Sequence, residues 1–211
     1  MKQLLLSTAY LPSVEYFAFL LTGEALIDGE ERYQKQSYRN RAVILNGNGV
    51  LNLIIPTIHD NRMGVVKEVR IEYVTPWQRA HWRSIESAYN NTPFYLYYKD
   101  ALKPFFEQKF DFLFDFNTQL TLTLLKILQT GTNVRFTETF TPYGEDDLRL
   151  EIHPKKARKP DYRYRLTTPY YQVFEDKFGF LPNLSIIDLL FNEGPQAANY
   201  LLHLANTFET R

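Results

Sequence analysis

The feature that most constrains the fold is the tetrapeptide NGNG at positions 46–49, which separates two apolar runs. The runs cover residues 42–45 and 50–56 and are rich in Val, Ile and Leu. Asn-Gly tolerates the positive φ angles that tight hairpin turns require, and the flanking runs have the composition of strands. The sequence therefore predicts an antiparallel β-hairpin and excludes an all-helical fold.

The first 30 residues predict a strand, a helix and a second strand. The segment KQLLLSTAY (2–10) favours a strand, Pro12 breaks it, and residues 13–21 have apolar side chains at helical spacing. Gly23 is expected to end that helix, and residues 24–28 can form the second strand. A βαβ opening places ligands at the carboxyl ends of its strands, although many folds begin in this way.

The middle of the chain changes from a strand pattern to a helical one. Residues 66–74 alternate well enough for a strand, and Thr75-Pro76-Trp77 has the cap and the proline typical of a helix start. Helices are predicted over 77–89, from Pro93 to about 103, and over 110–129 with Gly131 at the end, followed by a strand over 133–140. These elements predict a single α/β (mixed) domain over 1–211, with a central β-sheet from the N-terminal half and helices from the middle and C-terminal segments packed on it.

The C-terminal third begins with a segment of unusual composition. Residues 141–169 contain four prolines, an acidic cluster and a basic run that consists of Lys155, Lys156, Arg158 and Lys159. The segment is interpreted as a long surface loop, with a flap that brings cations to an anionic ligand as the alternative. Residues 170–211 are expected to wrap back over the sheet and to end in a helix over about 195–206.

The amino-acid composition and the net charge argue against several classes of function. The 24 basic and 24 acidic residues leave no net charge, whereas nucleic-acid binding relies on a basic excess. The chain has no cysteine, which excludes disulfides and thiolate metal sites. Its four histidines have no ligand-like spacing, so neither a metal nor a cofactor is predicted; they are His59, His81, His153 and His203. No window approaches the ~20 apolar residues of a membrane span, and the N-terminal apolar run is too short for a signal peptide, so a cytoplasmic location is expected.

A crowded polar stretch, residues 33–41, stands immediately before the hairpin and is the first candidate site. An arginine fork matches carboxylate or phosphate, so Arg39 and Arg41 are predicted to bind an anion. Gln34 and Asn40 are predicted to recognise hydroxyl groups of a sugar. The two arginines share a face in extended geometry, and a buried arginine needs a partner. The alternative is a solvated edge loop with ordinary salt bridges.

Asp188 and Asn192 form the second candidate site. They are four residues apart on a mainly apolar predicted helix, so they share a face and need buried partners. We predict that Arg39 or Arg41 lies within hydrogen-bond reach of Asp188 or Asn192, directly or through water, and that this contact borders the main pocket. An internal tie between arginine and aspartate is the structural alternative.

Four blocks of the sequence together resemble the WbqC-like protein family, in the form common in Bacteroidetes-type bacteria. They are YLPSVEYF (10–17), YQKQSYRNR (33–41), WQRAHWRSIESAY (77–89) and YYQVFEDKFGFLPNLSIIDLLFNEG (170–194). The resemblance implies an enzyme of surface-polysaccharide (O-antigen or capsule) or nucleotide-sugar metabolism, which transfers a group to or from an activated sugar. A non-catalytic subunit that docks on polysaccharide-synthesis proteins is the alternative.

The family's opening motif, His-Gln-Pro-x-Tyr-Leu-Pro, is only half present. Tyr10, Leu11 and Pro12 remain, but Leu6, Ser7 and Thr8 replace His-Gln-Pro, so a histidine-dependent step is lost here if the family uses one. The pair Asn40-Arg41 and the block LSIIDLLFNEG are intact. On this basis Tyr10 is predicted to flank the ligand, Asn192 to bind substrate, and Asp188 to act as a general base or to orient an arginine.

Overall fold

A computed structural model describes residues 4–23, 25–58, 64–144, 147–156 and 168–209 of the 211-residue chain. Its first elements are strand β1 (Leu4–Ser7), helix α1 (Val14–Leu21) and strand β2 (Ala25–Asp28). The two strands pair in parallel, with Leu4 opposite Ala25 and Ser7 opposite Asp28. The predicted βαβ opening is therefore confirmed, and it brings the carboxyl ends of both strands to one edge.

The predicted hairpin consists of strands β3 (Arg41–Asn46) and β4 (Gly49–Ile54). Asn46 pairs with Gly49 in antiparallel register, so Gly47 and Asn48 form the turn. Gly49 has a φ of 114°, a conformation that only glycine adopts without strain. The tetrapeptide thus positions Arg41 at the first residue of a strand.

The sheets are smaller than the sequence predicts. Within the predicted strand at 133–140, only strand β5 (Arg135–Phe136) forms; it pairs in parallel with β2, and the sheet order is β1-β2-β5. The hairpin is a separate two-stranded sheet. The mixed α/β class is confirmed, but the sheet from the N-terminal half is in two parts.

Helices α2 (Trp77–Tyr89), α3 (Tyr95–Leu102) and α4 (Leu113–Leu128) form the predicted helical middle. The buried stripe of α2 is the predicted one and consists of Trp77, His81, Ile85, Ala88 and Tyr89. Helix α4 ends at Leu128 and is capped by Gln129, whose φ is 53°, and not by the predicted Gly131.

The predicted strand over 66–74 is wrong. Val66–Glu68 form one turn of 3₁₀ helix, after which the chain is extended but finds only single partners. Ile71 N–H donates to the Asp111 carbonyl, and Glu72 N–H donates to the Pro56 carbonyl. Because the two neighbours lie on different segments, no ladder can form along these residues.

In the described part of the C-terminal third, four further helices follow, namely α5 (Leu148–Glu151), α6 (Glu175–Phe178), α7 (Ile186–Glu193) and α8 (Gln196–Glu209). Helix α7 begins beside α1, since Ile186 N–H donates to the Pro12 carbonyl and Val14 N–H donates to the Leu184 carbonyl. Among the described residues, no helix combines the length and the apolar character needed to cross a bilayer.

Helix α5 lies within the segment that was interpreted as a surface loop. Leu148, Arg149 and Ile152 are buried there, and α5 packs next to β1. Arg158, Lys159 and His59, which were singled out in the sequence, lie outside the described residues. The described part of this segment is therefore not only solvated loop, because it supplies core residues and a buried cation.

Candidate functional site

The carboxyl edge of the parallel sheet carries a group of buried polar side chains. Ser7 ends β1, Asp28 ends β2, and Glu31 follows three residues later. Asp28 and Glu31 are fully buried. Open α/β sheets bind ligands at this edge because the strand ends and the loops after them converge there. We refer to Ser7, Asp28, Glu31, Arg39 and Arg149 as the carboxyl-edge cluster.

Arg149 closes one side of this cluster. Its guanidinium donates to the carboxylates of Asp28 and Asp147 and to the carbonyls of Thr141 and Pro142. These bonds use all five N–H donors of the side chain, which is 1% exposed. The residue is therefore a clamp that holds Thr141, Pro142 and Asp147 against the end of β2.

The other half of the cluster is a buried ion pair between Glu31 and Arg39. Arg39 Nε lies 2.9 Å from Glu31 Oε1, and Nη2 lies 2.5 Å from Oε2, which is the bidentate geometry of a strong pair. The Ser7 hydroxyl donates to Glu31 Oε2 at 3.3 Å. Burial raises the pKa of Glu31, and the Arg39 guanidinium opposes that rise.

Arg39 is also the charged wall of a crevice. The cavity volume of the crevice is about 10 Å³, and the space amounts to about 220 Å³ only when the open solvent at its mouth is included. Its lining residues are Ser7, Thr8, Ala9, Tyr16, Tyr38, Arg39, Leu148 and Ile152. Arg39 Nη1 makes no hydrogen bond to any residue in the described ranges, since the bonds to Glu31 use Nε and Nη2. A volume of about 10 Å³ holds about one water molecule, so the interior of the crevice admits a single polar atom of a ligand.

Asp188 lies elsewhere, inside the protein. Its Oδ2 accepts a hydrogen bond from the Tyr89 hydroxyl at 2.9 Å, and its Oδ1 accepts from the Tyr170 hydroxyl at 2.8 Å and from Gln172 Nε2 at 3.3 Å. Burial raises the pKa of Asp188 to about 6, although these three hydrogen bonds lower it. Asp188 is 1% exposed and does not line the crevice.

The predicted direct contact between the two candidate sites is therefore wrong. Arg39 pairs with Glu31, and within the described ranges neither Arg39 nor Arg41 bonds directly to Asp188 or Asn192. A buried carboxylate needs donors, but these donors need not be charged. Two tyrosine hydroxyls and an amide satisfy Asp188 instead of an arginine.

The remaining predicted site residues take different positions. Asn192 Nδ2 donates to the carbonyl of Asp188 at 2.8 Å, one turn back in α7. Asn40 Nδ2 donates to the Ile55 carbonyl at 2.9 Å and ties the polar stretch to the end of β4. Gln34 Nε2 contacts the Tyr143 hydroxyl at 3.4 Å near the surface. Arg41 is half-buried, and its Nε has no hydrogen-bond partner among the described residues.

Tyr10 is fully buried and does not line the crevice. Its hydroxyl shares a hydrogen bond of 3.0 Å with His81 Nδ1, and the two rings stack with centroids 5.7 Å apart. Burial lowers the pKa of His81 to about 4, so the ring is neutral at pH 7. The pair joins α2 to the turn after β1 and belongs to the core.

Sequence reasoning did not select Ser7, Asp28, Glu31 or Arg149 as site residues. Asp28 and Glu31 could have been found, because they follow a strand of the predicted βαβ unit. Arg149 had no local signal, since its partner Asp28 is 121 residues away. No group of three or more His, Asp or Glu side chains that could hold a metal occurs among the described residues.

Comparisons with known proteins agree with the resemblance seen in the sequence. A profile of the WbqC-like protein family matches residues 8–159 and 160–200. The chain is also 25% identical over 225 residues to "Uncharacterized protein Rv1507c" of Mycobacterium tuberculosis (strain ATCC 25618 / H37Rv), an alignment that covers 95% of this chain and 97% of the relative. No solved structure gives a significant match. Because the family profile covers the sequence from β1's end to α8, the chain belongs to the WbqC-like protein family.

Proposed function

We propose that this protein is an enzyme that binds an activated sugar at the carboxyl-edge crevice and transfers a group to or from it. The observation that carries the proposal is the arrangement of Ser7, Glu31 and Arg39. A hydroxyl, a carboxylate with a raised pKa and an arginine with available donors meet beside an open crevice at the carboxyl edge of a parallel sheet.

Each of the three residues has a role in this proposal. Arg39 Nη1 binds an oxygen of the ligand, because it is the part of the guanidinium that Glu31 leaves available. Glu31 holds Arg39 in position and accepts a proton through the Ser7 hydroxyl, since a carboxylate with a raised pKa is a better base than an ordinary one. Glu31 thus takes the role that the sequence assigned to Asp188, which is enclosed by its own donors.

The choice of an activated sugar rests on the family. The resemblance implies a role in making bacterial surface polysaccharide, where the usual donors are nucleotide sugars. Ser7 and Arg39 can bond sugar hydroxyls and phosphate oxygens, which fits this class of ligand. The crevice admits only part of a nucleotide sugar, so the remainder of the ligand extends over its mouth.

The test is a thermal-shift screen of nucleotide sugars against the full chain. A ligand at about 100 times its Kd adds about 2.7 kcal/mol to the free energy of unfolding, so a true ligand raises the Tm by several degrees. Ser7→Ala should abolish most of that shift, whereas the matched control Ser84→Ala, in helix α2, should retain it. Absence of a shift across a broad panel would contradict the proposal.

A non-catalytic docking subunit is the second candidate function. It is favoured by two adjacent apolar side chains on α3, Leu96 and Tyr97, which are 64% and 77% exposed. The double variant Leu96→Ser/Tyr97→Ser distinguishes the two functions in cells that make the polysaccharide. If this variant stops polysaccharide formation while Ser7→Ala has no effect, the protein acts by docking.

A further inference from the structure

Alternate residues of strand β4 point their backbone groups away from β3. Asn46 and Gly49 lie opposite each other across the two-residue turn, and a pair in this position exchanges its backbone hydrogen bonds. The hydrogen-bonding direction alternates along a strand, so every second residue after Gly49 also bonds to β3. The N–H and C=O groups of Val50, Asn52 and Ile54 therefore lie on the outer edge of the hairpin.

The outer edge of β3 is covered, whereas the centre of the outer edge of β4 is open. On the β3 side, the Val43 carbonyl accepts a hydrogen bond from the Ser185 N–H at 2.8 Å. Just after the end of β4, the Pro56 carbonyl accepts one from the Glu72 N–H at 2.9 Å. No backbone group in the described ranges bonds to the outward groups at positions 50 and 52.

This open edge lacks the features that usually keep edge strands apart. Strand β4 has the sequence GVLNLI, with no charged residue and no proline, and its pairing with β3 runs without a bulge. Val50 and Ile54 lie on one face and are 54% and 43% exposed. The protein as a whole has no net charge, so long-range repulsion does not keep two copies apart. An edge of this kind readily accepts a further strand.

From this geometry we infer that β4 pairs in antiparallel orientation with β4 of a second copy of the chain. The contact has a two-fold axis beside Leu51, so both copies use the same surface. Val50 of each copy then lies opposite Asn52 of the other, and each of these pairs exchanges its outward N–H and C=O groups. Val50 also comes diagonally next to Ile54 of the second copy, which covers the exposed apolar side chains. The second copy is the fitting partner because this uncharged edge is complementary to itself.

The covered part of the edge determines the register of the two strands. With Leu51 at the axis, the turn of the second copy ends before it reaches Pro56. A register with Asn52 at the axis would place that turn opposite Pro56, where Glu72 already forms a hydrogen bond. The pairing centred on Leu51 therefore avoids a clash. It also joins the two hairpins into one sheet, which is more stable than a separate two-stranded sheet.

The first test is disulfide cross-linking of Leu51→Cys, since the chain has no cysteine of its own. Two residues opposite each other in a non-hydrogen-bonded pair have Cα atoms about 4.5 Å apart, which a disulfide can span. Mild oxidation should therefore convert Leu51→Cys into a covalent dimer on a non-reducing gel. Val50→Cys, whose two copies are not opposite each other, should cross-link far less. Leu122→Cys, at an exposed position on α4, should stay monomeric.

Two variants test the same edge without oxidation, with sedimentation equilibrium as the readout. Asn52→Pro removes an outward N–H and no bond to β3, so the hairpin should be retained. It should weaken dimerisation about tenfold, because each dimer loses two hydrogen bonds. Val50→Lys places a charge at the edge and should weaken dimerisation at least as much. The matched control Leu122→Lys adds the same charge to α4 and should leave the dimerisation constant within twofold.

The interface is small, so we expect a dimer that forms as the protein concentration rises. A wild-type protein that is monomeric at its highest soluble concentration would overturn the inference. The same conclusion would follow if Val50→Lys weakened the dimer no more than Leu122→Lys does. Cross-linking of Leu122→Cys as fast as Leu51→Cys would also contradict it. Circular dichroism of each variant verifies that the fold is retained, and Val50→Lys provides the decisive comparison if Asn52→Pro does not fold.

Discussion

Arg149 and Asp28 form a salt bridge that spans 121 residues of sequence, and neither side chain is exposed to solvent. Removal of one partner leaves the other as a buried charge, which typically costs about 3–5 kcal/mol. We expect Arg149→Met to lower the free energy of unfolding by that amount in urea titrations. Arg83→Met, at an exposed position on α2, should change it by less than about 0.5 kcal/mol. Similar changes in the free energy of unfolding for Arg149→Met and Arg83→Met would show that the Arg149 clamp contributes little to stability.

Glu31 and Arg39 should behave as one unit in a double-mutant cycle. Glu31→Gln and Arg39→Met each leave a buried group without its charged partner, so each should destabilise the protein by about 3–5 kcal/mol. The double variant should cost less than the sum of the two, since the second change removes the orphaned charge. Urea unfolding of the four proteins measures the coupling, and additive effects would count against the pair.

Asp188 gives the protein a specific pH dependence. Its pKa is about 6 in the folded protein and 3.8 ordinarily, so the folded state binds the proton more tightly. The stability that this adds is complete below about pH 4 and is lost as the pH rises through 6. The amount is about 3 kcal/mol, since one pKa unit corresponds to about 1.4 kcal/mol.

His81 has the opposite effect over nearly the same range. Its pKa falls from 6.5 to about 4 on folding, so the unfolded chain binds the proton more tightly. Its contribution is complete above about pH 6.5 and is lost as the pH falls toward 4, again by about 3 kcal/mol. The two contributions therefore oppose each other between pH 4 and 6.

Two variants should separate these contributions. In Asp188→Asn only the histidine effect remains, so the free energy of unfolding should fall steeply as the pH is lowered from 6.5 to 4. In His81→Gln only the aspartate effect remains, so the free energy of unfolding should rise as the pH is lowered over the same range. Urea titrations at four or five pH values provide the measurement. Parallel pH profiles for wild type and both variants would rule out this account.

The parts of the fold that sequence predicts well are those that depend on local patterns. The hairpin around Gly47 and Asn48, the βαβ opening and the buried stripe of α2 each follow from a few neighbouring residues. The segment 66–74 shows the limit of such patterns. It alternates like a strand, but its partners, Pro56 and Asp111, lie on two different segments, and no local signal reports that.

The candidate site likewise consists of residues that local sequence patterns predict and residues whose contacts depend on distant segments. The sequence predicts a site at the polar stretch with Arg39 because many side-chain donors are close together there. The position of Asp28 and Glu31 at and after the carboxyl end of β2 could have added these two residues. The partner of Asp188 could not be read from sequence, because a buried carboxylate is satisfied equally by arginine or by tyrosine hydroxyls. Arg149 required knowledge of which distant segment returns to the sheet edge.

The Arg149 clamp also has a consequence for the order in which the protein is made. Asp28 is synthesised 121 residues before its cation, which takes about 6–24 s at ordinary rates of translation of about 5–20 residues per second. During that interval the end of β2 carries a carboxylate that has no charged partner, so the nascent βαβ unit cannot bury this edge at low cost. The crevice wall contributed by Leu148 and Ile152 is missing for the same period. The ligand site is therefore completed late, only after most of the chain has left the ribosome.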